Sequence, residues 1–164
     1  MTEEERTQFE PWWESHKKII ATNNNSKFKE IVRMYFDSFM MESSEMSFVV
    51  LSVVLEMLFG APNGELTYRI SRGTALFLSS DRDEMKTIHS QVKKLYNLRS
   101  KYVHEGKNVE WEKLFELREI VRNIIVLMYE NKMNLNNFSF KKFSEELSFD
   151  GYDKEAVSIA MSRD

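Results

Sequence analysis

Apolar side chains recur along this chain three or four residues apart, and no stretch shows the two-residue alternation of a half-buried strand bounded by turns. Between positions 27 and 41, Phe28, Ile31, Val32, Tyr35 and Phe39 share one helical face. Positions 44–59 are apolar almost all round, with Phe48, Leu51, Leu55, Leu58 and Phe59 on one side and Val49, Val53 and Val54 on others. A helix with no polar face belongs inside a fold, so this segment is expected in the core. The pattern continues over 65–79 with Leu66, Ile70, Phe77 and Leu78, and over 83–104 with Met85, Ile88, Val92, Leu95 and Tyr102. A last strong stripe, over 110–130, holds Leu114, Leu117, Val121, Ile124, Ile125 and Met128.

The breaks between these stripes carry the right punctuation. Thr22-Asn23-Asn24-Asn25-Ser26 is polar, and Asn25 or Ser26 can cap the helix that follows. Gly60-Ala61-Pro62-Asn63-Gly64 is a turn. Asp81 or Asp83 stands where a carboxylate favours the start of a helix, and Gly106 stands where a glycine ends one. The expected fold is therefore all-α, an up-and-down bundle of about five core helices with short terminal helices. Residues 26–133 form the bundle. Residues 1–25 are expected to lie on it as an N-terminal segment, with Trp12-Trp13 as a hydrophobic staple. Residues 134–164 form a helical C-terminal extension, with short helices around 140–147 and 154–161.

Composition narrows the function classes. With 164 residues, 42% apolar and 30% charged, the chain has the balance of one folded domain. The absence of cysteine excludes a disulfide framework and a thiolate metal site. The acidic start, Met-Thr-Glu-Glu-Glu-Arg, is unlike a secretory signal. The greasiest stretch, Phe48 to Phe59, is shorter than the ~20 residues a membrane span needs and contains Glu56. A cytoplasmic protein without membrane contact is the expectation. The ten methionines are expected as core filler.

A net charge of −3 gives no overall attraction to nucleic acid, but the charge is uneven. Lys86, Lys93, Lys94, Arg99, Lys101 and Lys107 face only Glu105 in sequence, while Glu145, Glu146, Asp150, Asp153 and Glu155 crowd the C-terminal stretch. A local basic face is one reading, and ordinary surface lysines are the other. No phosphate-binding loop, dinucleotide fingerprint or His-Glu-x-x-His stretch is present, and His16, His89 and His104 lie far apart. No metal and no cofactor are expected. The search for chemistry narrows to the run Leu98 to Gly106.

That run contains an arginine and a histidine with four residues between them, Arg99 and His104. Spacing alone does not select them, because Arg82 and His89 also fit an arginine followed after four to six residues by a histidine. Their surroundings do. Lys94-Leu95-Tyr96-Asn97-Leu98-Arg99-Ser100-Lys101-Tyr102-Val103-His104 resembles the LYxxRSxxVH signature of Apea-like HEPN domains. Leu55-Glu56-Met57-Leu58-Phe59 is similar to that group's LExLF helix. Leu66-Thr67-Tyr68-Arg69-Ile70-Ser71-Arg72-Gly73-Thr74-Ala75 is similar to its next helix. The three fall in the group's order and span roughly 45–130.

The resemblance implies a helical endoribonuclease, in a defence or toxin setting with an antitoxin or another defence protein as partner. RNA brings its own nucleophile, the 2′-OH, so no metal is needed. His104 would move the proton, and Arg99 would meet the charge of the phosphorane. Ser100 or Tyr102 would hold a phosphate oxygen, and the product would carry a 2′,3′-cyclic phosphate. Lys93, Lys94, Lys101 and Lys107 are the candidate RNA contacts. Glu56, on the apolar helix, needs a cation, and Arg72 or Arg99 is the candidate.

Two positions depart from the family pattern. Ser100 stands where many catalytic members carry Asn, Asp or His. Gly106 stands where toxins paired with nucleotidyltransferase antitoxins carry tyrosine. A non-catalytic helical module that binds protein or RNA is therefore the alternative.

Geometry adds one condition. Five residues turn an ideal helix through about 140°, so Arg99 and His104 converge within one chain only if the helix ends near Val103. Otherwise they would meet a second copy. A two-fold homodimer is expected, since it sets the same patch against itself and doubles the acid–base inventory.

Overall fold

A computed structural model describes residues 26–60, 66–106 and 108–131, which form five α-helices and no strand. These are α1 (Ser26–Met40), α2 (Ser44–Phe59), α3 (Leu66–Leu78), α4 (Arg82–Glu105) and α5 (Trp111–Glu130). All five follow the stripes expected from the sequence. The expected terminal elements at 1–25 and 134–164, Trp12-Trp13 and His16 among them, lie outside the described residues, as does Lys107. No helix among the described residues is long and apolar enough to cross a membrane.

Local chemistry fixes the helix ends. Ser43 caps α2, its hydroxyl oxygen accepting from the Met46 N–H at 3.1 Å. Of the two aspartates at the start of α4, Asp81 is the cap. Its Oδ1 accepts from the N–H groups of Asp83 and Glu84 at 3.0 and 2.8 Å. Asp83 and Glu84 themselves occupy the first turn, where the helix dipole favours negative charge. At the other end Gly106 adopts φ 68, and its N–H donates to the Tyr102 carbonyl at 2.9 Å. A side chain at that φ would cost about 1–2 kcal/mol, so glycine suits this stop.

The helix without a polar face is indeed the central one, for α2 touches each of the other four. Phe48, Leu51, Val54, Leu55, Leu58 and Phe59 are buried on it, and Met46 is its only exposed residue. Around it α1 contributes Phe28, Ile31 and Val32 to the core, α3 contributes Ile70 and Phe77, and α5 contributes Leu114 through Met128. The largest interface of α3 is with α4. The small buried residues Ser71, Gly73, Thr74 and Ala75 of α3 leave room for such close approach.

With 24 residues, α4 is the longest helix and serves two neighbours. Its first half meets α3, where the His89 ring lies edge-on to Tyr68 at 6.1 Å. Its second half meets α2 through Tyr96 and Glu56.

Two polar ties lock the bundle. Ser44 donates to the Val109 carbonyl at 3.2 Å, and the Val109 N–H donates to Glu45 at 3.3 Å. Both join the start of α2 to the connection after α4. Arg118 of α5 is buried. It donates to the Ser38 carbonyl at 2.8 Å, and its guanidinium lies 4.2 Å from the Phe39 ring centre. It thereby satisfies one of the last carbonyls of α1.

The methionines divide. Met128 is buried and Met34 and Met57 pack against the core, but Met40, Met41 and Met46 are exposed, Met40 to 84%. These three flank the sharp turn between α1 and α2, where neither helix continues to cover them. Filler is therefore only part of the methionine account.

Candidate functional site

Arg99 and His104 both stand on α4, and the helix decides what each can reach. The α4 hydrogen bonds run through to Gly106, so the helix does not end at Val103. The two side chains stay about 140° apart around one axis. Arg99 falls on the buried stripe with Val92, Leu95 and Tyr96, whereas His104 is exposed in the last turn. Within one chain they do not form a site. His104 sits in the last turn of α4, and it has no bonding partner among the described residues.

Arg99 sits in a compact polar cluster on the inner side. Its Nη2 lies 3.2 Å from Glu56 Oε1, with the side chains 24% and 26% exposed. Arg99, one of the two cations considered for Glu56, pairs with it. The Tyr96 hydroxyl donates to the same oxygen at 2.6 Å, and the Arg99 guanidinium lies 5.7 Å from the Tyr96 ring centre. Arg99 Nε is buried and has no hydrogen-bond partner. The Glu56 carboxylate is thus held from two sides by one helix of its neighbour, which fixes the arginine's orientation.

Tyr96 is the member of this cluster that sequence reasoning missed. The signal was there in part, since it lies three residues from Arg99 on one helix face. Arg72, the other cation weighed for Glu56, is half-buried on α3.

Burial raises the Tyr96 phenol above its ordinary value of 10.0, as do its hydrogen bond to Glu56 and that carboxylate's charge, while Arg99 lowers it. A raised folded value means that the stabilisation is fully present below the unfolded value. It is then lost as pH rises past that value towards the folded one. Stability measured by urea denaturation should therefore fall between about pH 9 and pH 11, and Tyr96→Phe should flatten that fall. An equal decline in both proteins would show that Tyr96 does not carry it.

The basic residues separate by face. Lys94 and Lys101, two turns apart and about 20° apart around the axis, line a groove of about 880 Å³ between α4 and the start of α5. Lys93 points some 100° away and does not line it. Ser100 is exposed and Tyr102 half-buried; neither lines the groove. Among the described residues no group of three or more histidine, aspartate or glutamate side chains gathers as a metal site would require. No family model, curated protein or solved structure matches the chain, so the likeness to HEPN domains rests on its three sequence signatures.

Proposed function

We propose that the protein is a metal-independent endoribonuclease of the HEPN type, assembled from two copies of the chain. The supporting observation is the disposition of α4. It carries an exposed, unpartnered histidine in its last turn and an arginine held in place by Glu56 and Tyr96. In this reading His104 acts as the acid–base group on the 2′-OH or the leaving oxygen. Arg99 meets the negative charge of the phosphorane, with Ser100 or Tyr102 beside it. Pairing of two copies sets the arginine of one chain beside the histidine of the other. A defence or toxin role, with a protein partner, follows from the family likeness.

Incubation with structured RNA in EDTA tests this. Wild-type protein should release fragments ending in a 2′,3′-cyclic phosphate, and His104→Ala should lose about 10²-fold or more. Cleavage unchanged in His104→Ala would remove the proposal.

A second reading has its own support. The charge of Arg99 is already matched by Glu56 at 3.2 Å, as it would be in a module that holds RNA without cutting it. Intact RNA after incubation with wild type, together with measurable binding, is the outcome that reading expects.

A further inference from the structure

The groove beside α4 has two walls of unlike charge. On the α4 wall Lys86 is paired with Asp83 at 2.7 Å, whereas Lys94 and Lys101 have no ion pair among the described residues. On the α5 wall Lys113 is bound to Glu116, and its pKa is raised chiefly by that hydrogen bond. Glu110, which caps α5 without a side-chain hydrogen bond to it, also lines the groove, and its charge adds to the field on Lys113. One wall thus presents two cations outside any ion pair, and the other two carboxylates, Glu110 and Glu116, around the single ammonium of Lys113. Between them lie Leu95 and Leu98, with Gln91 and Asn97 as neutral donors and acceptors.

This division selects among nucleic acids. A duplex carries two phosphate strands and would press one of them against the acidic wall, where like charges repel. A single strand carries one. Its phosphates can follow Lys94 and Lys101 while its bases turn across the half-buried Leu98 towards Glu110. A carboxylate accepts hydrogen bonds and donates none. Glu110 therefore favours bases with an exocyclic amino group, the cytosine N4 above all, over thymine or uracil.

We infer that the α4–α5 groove binds single-stranded nucleic acid, its backbone along Lys94 and Lys101 and amino-bearing bases towards Glu110. The inference rests on the proposed action on RNA and names the form of RNA that reaches the protein. It also places the strand on a face of α4 distinct from the Arg99–Glu56–Tyr96 cluster.

Fluorescence anisotropy with labelled deoxyoligonucleotides tests binding apart from cleavage, because these probes lack the 2′-OH. Oligo-dC should bind more tightly than oligo-dT, and both more tightly than a duplex of equal length. Lys94→Gln/Lys101→Gln should weaken oligo-dC binding by about tenfold or more and reduce the slope of log K against log salt by about 1.4. Lys93→Gln should change the slope far less. Glu110→Gln should level dC and dT, because an amide both donates and accepts.

The inference is overturned by no binding at low salt, by binding indifferent to the double lysine variant, or by a preference for duplex. Capture of an acidic polyglutamate peptide in place of oligo-dC would also overturn it and make the groove a protein-docking site. Bound oligo-dC with RNA left intact in EDTA removes the nuclease reading and leaves the groove standing. RNA cleaved with oligo-dC unbound does the reverse.

Discussion

Mixing Arg99→Ala protein with His104→Ala protein, each inactive alone, is expected to restore about a quarter of wild-type cleavage if chains exchange freely. Random pairing makes half of the dimers mixed. In a mixed dimer one site combines the two altered residues and the other combines the two intact ones. The expectation follows from α4 remaining helical to Gly106, which keeps Arg99 and His104 of one chain about 140° apart. Restored activity would show that the arginine of one copy works with the histidine of the other. A mixture as silent as its components, from protein whose wild type cleaves, would place both groups within one chain. The last turn of α4 would then have to open, against the Gly106 cap. Activity against mixing ratio measures this, with light scattering to follow assembly.

Phe48→Ala is expected to lower the stability of folding by about 3–5 kcal/mol. Phe48 is fully buried on α2, the helix that touches every other, so neighbours cannot close over a lost ring without moving several elements together. Domains of this kind are stable by about 5–15 kcal/mol, and a loss of this size would consume much of that margin. Denaturant unfolding gives the number. Phe48→Leu, which keeps most of the volume, should lose far less. A loss below about 1 kcal/mol for the alanine variant would mean that α2 is not the centre of the core.

The fold was legible because burial writes a simple code. The five stripes needed only the 3.6-residue period, and their ends followed from capping residues such as Asp81 and Gly106. Glu56 could also be read, since a carboxylate on an apolar helix requires a partner. Its partner could not be chosen, because Arg72 and Arg99 lie on different helices and sequence carries no distance between them. Tyr96 was hidden for a related reason. Tyrosine on a buried stripe looks like packing until its hydroxyl is seen to reach a carboxylate forty positions away. Arg118 was hidden likewise, as an arginine between Leu117 and Val121 whose target is the end of another helix. The division of the lysines is different again. Lys93 and Lys94 are neighbours in sequence, but only Lys94 lines the groove, because α5 passes on its side alone.

The contrast between α2 and α4 bears on how such a protein can change. Past its first turn α2 has no exposed position, so nearly every substitution there must be absorbed by several neighbours at once. α4 is anchored along one side by α3 and α2 and presents the other to water, with Lys93, Lys94, Asn97, Ser100, Lys101 and His104 all exposed. Exchanges at those positions alter charge and hydrogen bonding while leaving the core untouched. Innovation in what the protein recognises can therefore accumulate one residue at a time on α4, with the interior held constant beneath it.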